Sequence, residues 1–442
     1  MPTATFQFPA GFLWGTATAA HQVEGHNTNN NWSAWEEEPG HILNGQRAGA
    51  ACDWWGGRWK EDLDRAAAGG QNAHRMSIEW SRIQPEPGRW DEDALEHYRM
   101  ILRGMLQRKL TPMITLHHFT DPLWLTAQGG WENDETPAQF ARFVEKAVEA
   151  LKEYNTLWVT INEPNVYATS GYVSGDFPPG KQDLAAAFQV LLNMVRGHAL
   201  AYRAIHRLQP EARVGIALNY RGFQPAHPGN PLDAALVRFL AHNFNASFLE
   251  ALSRGRFRYA LRSTAVPEAV KTQDFVGINY YTTDLVAFDL LAYRDLFHRR
   301  FYPGDAVLSE NGFIRHTPQG LFEALHWGQK FGLPLLVTEN GVEDSQDGLR
   351  PRYIAEHLHQ LWRAINFNWQ IKGYFHWSQV DNFEWERGWS QRFGLWGLDV
   401  DTQTRIHRPS VDLYAAVCKS NALSSETVQQ YAPAAYPALF PG

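Results

Sequence analysis

Residues 157–164 read Leu157-Trp158-Val159-Thr160-Ile161-Asn162-Glu163-Pro164. An apolar, β-rich run ends on a polar pair, and a proline then turns the chain. Beyond a loop lies a long stretch, 184–207, with apolar residues at helical three- and four-residue spacing. The same order recurs throughout. β-rich runs occur at 12–16, 73–78, 111–116, 157–161, 213–218, 275–279, 333–338 and 371–376. Helical candidates fall between them at 59–68, 93–108, 137–153, 184–207, 232–254, 319–331 and 352–367, with a last one at 409–418. Capping chemistry marks some starts, with Asp91 before the second and Thr136-Pro137 at the third.

Strands alternating with helices imply parallel pairing through right-handed crossovers. Eight such units predict an α/β fold, a single (β/α)8 TIM barrel over residues 1–423 with long βα loops forming the pocket. The alternative is a doubly wound open sheet. That fold usually carries a Gly-rich phosphate turn after its first strand. Here the first run leads into Ala17-Thr18-Ala19-Ala20-His21-Gln22, without such a turn. Residues 424–442 lack periodicity and are expected to form a tail, packed on the surface or partly disordered.

Composition narrows the function. The chain has 442 residues and a net charge of −7, so no basic surface points to nucleic acid or an anionic membrane. Hydrophobic residues at 44% and charged residues at 20% exclude a disordered or fibrous chain. The two cysteines, Cys52 and Cys418, are too few for a disulfide framework or a four-cysteine metal site. Residues 1–12 do not read as a signal peptide, and no apolar run of about 18 residues predicts a membrane span. The expected address is a reducing cytoplasm. The chain has 18 Trp, whose flat faces suit cores and also sugar rings.

In a barrel of this kind the active site forms at the C-terminal strand ends. Nearly every run here delivers a polar group there: His21 and Gln22, Arg75 and Glu79, His117 and His118, Asn162 and Glu163, Asn219 and Tyr220, Asn279 and Tyr281, Glu339 and Asn340. The eighth ends at Trp377, with Asp381, Glu384 and Trp385 on the loop beyond. Strand ends are costly places for idle carboxylates, because burial penalises the charged form. Glu163 and Glu339 follow strands four and seven, on opposite sides of the ring. Two such carboxylates can flank one glycosidic bond; the other reading is a pair of ion-paired barrel caps. Ser309-Glu310-Asn311-Gly312 repeats the Glu-Asn-Gly tripeptide, but its preceding run is short, so Glu310 is read as a loop residue. Gln22, His118, Asn162 and Asn279 are neutral donors and acceptors that match hydroxyl groups.

The sequence resembles glycoside hydrolase family 1, the β-glucosidase and β-galactosidase family, from about Phe8 to Tyr414. The similarity is carried by 12–25 (Phe-Leu-Trp-Gly-Thr-Ala-Thr-Ala-Ala-His-Gln-Val-Glu-Gly), Thr160-Ile161-Asn162-Glu163-Pro164, Val337-Thr338-Glu339-Asn340-Gly341, and 377–385 (Trp-Ser-Gln-Val-Asp-Asn-Phe-Glu-Trp). The resemblance implies Glu163 as general acid/base and Glu339 as nucleophile. It implies that Gln22, His118, Asn162, Glu384 and Trp385 hold sugar hydroxyls, that Trp377 forms a stacking floor, and that Phe393 lines the pocket. Arg75 and Tyr281 would contact Glu339, with Asn279 supporting the site. Phe119, Asn165 and Phe313 depart from the tryptophans common in the family. Asn165 would make the leaving-group side more polar.

The implied reaction is retaining hydrolysis of a terminal β-D-glucosyl, galactosyl or fucosyl residue, with the carboxylates about 5–5.5 Å apart. Arg75 is expected to lower the pKa of Glu339, while burial and the neighbouring anion raise that of Glu163. No cofactor or metal is expected. The partner is a small carbohydrate, a β-glucoside or cellobiose-like disaccharide. The alternatives are a 6-phospho-β-glycosidase, an inactive sugar-binding barrel and a metal-dependent barrel hydrolase. Glu384 speaks against the first, because a carboxylate would repel a phosphate.

Overall fold

The computed structural model describes residues 4–292 and 296–441. Eight parallel strands close a barrel: β1 (Leu13–Ala17), β2 (Ala73–Ser77), β3 (Thr111–His117), β4 (Leu157–Asn162), β5 (Arg213–Pro225), β6 (Phe275–Phe288), β7 (Leu335–Asn340) and β8 (Ile371–Trp377). Each pairs with its neighbours in sequence, and β8 closes on β1 through Gly373↔Leu13 to Trp377↔Ala17. The main outer helices are α1 (Trp59–Ala68), α2 (Glu92–Gln107), α3 (Thr136–Leu151), α4 (Leu184–Leu208), α5 (Ser247–Arg254), α6 (Gln319–Gly328), α7 (Arg350–Asn366) and α8 (Pro409–Ser420). The expected barrel is therefore the observed one.

Local chemistry sets the helix starts. Asp91 caps α2 by accepting from the Ala94 amide, and Asp183 caps α4 by accepting from Ala185 and Ala186. Pro137 lies in the first turn of α3, where its missing N–H costs nothing. α4 is long and apolar enough to cross a membrane by length and composition, but 67% of its most apolar window is buried inside the protein. It packs on α3. Trp14, Trp54, Trp80, Trp131 and Trp158 are fully buried packing residues.

Two expectations change. β5 and β6 do not stop at 218 and 279. They run on together past the rim, pairing as far as Pro225↔Val286, and His298–Phe301 adds an antiparallel strand to β6. Polar residues such as Asn219, Arg221 and Gln224 interrupt the apolar run there, which hides the extension from a periodicity reading. The expected helix 232–254 is divided into Pro231–Leu240, a π-helical turn at Ala241–Ala246, and α5.

Beyond 423 the chain is helical at Ser425–Tyr431 and Tyr436–Leu439. Ala422–Ser424 pairs antiparallel with Thr5–Gln7, and Phe440 stacks on Phe6 with ring centroids 5.0 Å apart.

Candidate active site

Glu163 follows β4 directly. Pro164 disfavours the right-handed helical region for it, and it adopts φ 45°, ψ 57°. Its amide donates to the Ala217 carbonyl of β5 at 2.7 Å, which fixes this turn. A non-glycine residue there costs on the order of 1–3 kcal/mol, so the surrounding bonds hold the carboxyl in place. Glu163 Oε1 accepts from Asn219 Nδ2 at 2.9 Å and Asn279 Nδ2 at 2.7 Å. Both donors are neutral amides.

Glu339 reaches the same cleft from β7. The β7–β6 register slips between Val337 and Glu339, which brings Glu339 opposite Asn279. Such a bulge re-aims side chains at a barrel rim. Thr338, the extra residue, donates to Asn279 Oδ1 at 2.6 Å. Arg75 Nη1 donates to Glu339 Oε1 at 2.7 Å, and the Tyr281 hydroxyl donates to Oε2 at 2.6 Å. Glycine is required at 341 for space, because a Cβ there would lie 2.0 Å from the Trp377 carbonyl oxygen. In the repeated tripeptide, Gly312 instead supplies φ +70° in open surroundings. Glu310 is exposed and accepts from the amide and hydroxyl of Ser345.

One hydrogen-bond network joins the two carboxylates. Asn162 Oδ1 accepts from Arg75 Nη2 at 2.6 Å and from Asn279 Nδ2 at 3.1 Å. Asn162 Nδ2 meets His118 Nε2 at 3.0 Å. Arg75 also donates to Thr115 and to the Thr338 carbonyl, so its fork is held on several sides. On the far wall, Gln22 Nε2 donates to the Phe383 carbonyl at 2.7 Å and to Glu384 Oε2 at 3.3 Å. The His118 ring lies 5.8 Å from Trp377 and 6.0 Å from Trp385, near-parallel to both. Phe393 meets Tyr281 edge-on at 6.1 Å. Gln22 Oε1 and His118 Nδ1 are buried without a protein partner. Polar atoms in that state are suited to a ligand's hydroxyls.

Burial separates the two acids electrostatically. Desolvation, reinforced by the Glu339 charge, pushes Glu163 up to about 8. Burial also raises Glu339, while Arg75 and the Tyr281 hydroxyl pull it back. Arg75 lowers Glu339 as expected, but desolvation exceeds the cation's pull and the carboxyl stays raised. The asymmetry survives, since Glu339 alone of the pair is ion-paired with Arg75. Burial also lifts Glu384 well above the usual carboxylate range, with Glu386 and Glu339 adding to the effect.

Residues 4–423 match the family model described as Glycosyl hydrolase family 1. The chain belongs to glycosyl hydrolase family 1. Among the family's curated members, Beta-glucosidase A of Thermotoga maritima is 36% identical, covering 94% of this chain and 99% of its own. A Beta-galactosidase of Saccharolobus solfataricus is 29% identical over 95% of this chain and 97% of its own. A solved family 1 β-glucosidase from Thermotoga maritima superposes with a TM-score of 0.90 at 34% identity, covering 94% of this chain and 99% of that one. The same enzyme in complex with glucoimidazole gives 0.90, over 95% and 100%. This protein is thus a retaining glycoside hydrolase of family 1.

Set in that family, two side chains beside Glu163 add to the sequence reading. Asn219 was visible as a strand end but had no role; it bonds Glu163 as closely as a dedicated partner. Its position directly after the apolar run 213–218 is the available signal. Asn165 keeps its amide oxygen, Oδ1, buried without a protein partner. It is 2% exposed, and its amide nitrogen is spent on the Asn219 and Phe244 carbonyls. A cavity of about 950 Å³ lies against the extended β5 and β6, with Arg221, Phe223, Phe244, Asp284 and Tyr302 in its wall.

Proposed function

We propose that this family 1 enzyme removes the non-reducing terminal β-D-glucosyl residue from aryl glucosides and cellobiose-like disaccharides, with β-galactosides and β-fucosides also accepted. Glu339 is the nucleophile and Glu163 the general acid and base. The observation that carries the assignment is the Arg75–Glu339 ion pair at 2.7 Å, set against the neutral partners of Glu163. Glu339 attacks the anomeric carbon while Glu163 gives its proton to the leaving oxygen. Once the glycosyl–enzyme forms, the Glu339 charge is consumed. Glu163 then becomes acidic enough to take a proton from water, which releases the sugar. Asn162, held by Arg75 and Asn279, is placed for the sugar 2-hydroxyl, a contact that strengthens in the oxocarbenium-like transition state.

Gln22, His118, Glu384 and Trp385 hold the remaining hydroxyls, with Glu384 toward the O4/O6 edge, Trp377 as floor and Phe393 beside it. Buried, unpaired Cys52 and Cys418 are in keeping with a cytoplasmic address. The test is a panel of aryl β-glycosides with kcat/KM for each, together with the anomer first released. Glucoside turnover with a β-anomer supports the reading; an α-anomer, or no turnover of any β-glycoside, overturns it.

A further inference from the structure

Asp121, on the loop after β3, is 2% exposed. A carboxylate this deep is costly unless donors satisfy it. Three side-chain donors reach it from three separate elements. His117 Nε2, at the end of β3, meets Asp121 Oδ1 at 3.0 Å, and Trp131 Nε1, in the turn Gly130–Glu132, donates to the same oxygen at 3.0 Å. The Tyr167 hydroxyl donates to Oδ2 at 2.6 Å. The Asp121 backbone is pinned as well: its amide donates to Asn31 Oδ1 at 2.9 Å, and its carbonyl accepts from the Asn31 amide at 2.9 Å. Asp121 is therefore a fixed post.

Tyr167 belongs to the short helix Pro164–Thr169, which starts directly after Glu163. Its ring is buried. Burial, reinforced by the Asp121 charge, holds its hydroxyl well above the ordinary range, so it stays a donor. Its amide donates to the Glu163 carbonyl at 3.0 Å. Tyr167 thus grips the backbone of Glu163 at one end and Asp121 at the other. Glu163 stands at φ 45°, ψ 57°. A residue in that conformation persists only where its surroundings over-determine it. The Glu163 amide is held by the Ala217 carbonyl, a bond between neighbouring strands. The Glu163 carbonyl is held by Tyr167, whose own place depends on one hydroxyl.

We infer that Tyr167, anchored by Asp121, is a positioning residue for the general acid: it fixes the turn that carries Glu163 and so the reach of its carboxyl to the leaving oxygen. The inference rests on the proposed role of Glu163. If it holds, loss of the anchor harms bond cleavage that needs a delivered proton and spares cleavage in which the leaving group departs unaided. Proton delivery requires hydrogen-bond reach, and a misplacement on the order of 1 Å costs up to about a hundredfold.

The experiment compares phenyl β-glucoside, whose leaving group needs the proton, with dinitrophenyl β-glucoside, whose leaving group does not. kcat/KM reports the first, glycosylating step for both. The two substrates share one sugar, so damage to the sugar-binding residues, His118 included, cancels in their ratio. Three full-length variants are measured. Tyr167→Phe removes only the hydroxyl. Asp121→Asn offers one accepting oxygen, which cannot take all three donors. Glu163→Gln removes the proton itself. The expected result is a fall of about tenfold in the phenyl-to-dinitrophenyl ratio of kcat/KM for Tyr167→Phe, and a fall in the same direction for Asp121→Asn. In Tyr167→Phe the dinitrophenyl value should stay within about threefold of wild type. Glu163→Gln should lower the ratio by at least about a hundredfold. If Tyr167→Phe does not fold, Asp121→Asn alone decides. A wild-type ratio in the folded Tyr167 and Asp121 variants, with the fall present in Glu163→Gln, overturns the role of Tyr167. No fall in Glu163→Gln overturns the assignment of Glu163 instead.

Discussion

Arg75 Nη1 lies 2.7 Å from Glu339 Oε1, with both side chains buried. The pair spans 264 residues of sequence and ties β2 to β7 across the barrel mouth. It distinguishes two otherwise similar buried carboxyls. Glu163, bonded only by Asn219 and Asn279, holds its proton up to about 8. The division of labour between nucleophile and acid follows from that difference.

Removing the nucleophile should show it directly. Glu339→Ala should lose several orders of magnitude in turnover, since the covalent step has no other nucleophile. Azide should partly restore activity and yield the α-glycosyl azide from a β-substrate, because a single inversion remains. Glu163→Ala with a good leaving group should give the β-azide. Swapped products would reverse the roles.

The pH dependence has a defined sign. A general acid must carry its proton, so kcat/KM should fall as pH rises through the Glu163 value of about 8. The two acids interact, so the measured limbs belong to the pair. In Glu163→Gln, assayed with a leaving group that needs no acid, the alkaline limb should vanish. Asn219→Ala removes a donor that favours the charged form, and should move that limb to higher pH. A limb unmoved in both variants would point to another acid.

Glu163→Gln should affect stability in the opposite sense to activity. The folded carboxyl of Glu163 titrates about 8, against 4.5 as its ordinary value. Between those values the native state binds more protons than the unfolded state, so stability falls as pH rises through that window. Gln at 163 can accept from both Asn219 and Asn279 without carrying charge. Glu163→Gln should therefore raise Tm at pH about 8.5 and leave it nearly unchanged at pH about 5. The high-pH gain should be on the order of a few kcal/mol. Equal effects at the two pH values would refute the buried-charge account.

The duplicated tripeptide gives a clean control. Glu310 is exposed and bonded to Ser345. Glu310→Ala should leave kcat within a few-fold of wild type. A collapse like that of Glu339→Ala would mean the wrong glutamate carries the chemistry.

Phosphorylated sugars probe Glu384. A 6-phosphate carries about −1.5 to −2 charges near neutrality. Turnover of nitrophenyl β-glucoside 6-phosphate should be at least about a hundredfold below that of the plain glucoside at pH about 8. Because burial keeps the Glu384 carboxyl well above its usual range, charge repulsion should weaken toward acid. Glu384→Gln should narrow the gap more toward alkaline than toward acid pH. A phosphorylated substrate turned over as well as the glucoside would overturn the placement of Glu384.

Much of this enzyme is legible in one dimension. Apolar, β-rich runs and helical spacing are local signals, and they mark the barrel strands and most of the helices, including α1 residue for residue. Glu163 and Glu339 were visible because each ends an apolar run, where a carboxylate is expensive. Proline at 164 is a local feature of the turn after β4, whereas glycine at 341 is required by the Trp377 carbonyl of β8. Tertiary structure alone decided the rest. Asn219 could not be assigned to Glu163 until β4 and β5 lay side by side. The extension of β5 and β6, with its mixed polar sequence, needed a partner strand to become a strand at all. The rings of His21 and Trp385, 364 positions apart, lie parallel only after folding. The pKa of each acid is likewise a sum over desolvation and charges from several strands. Those terms depend on distance through space, and no local pattern along the chain encodes them.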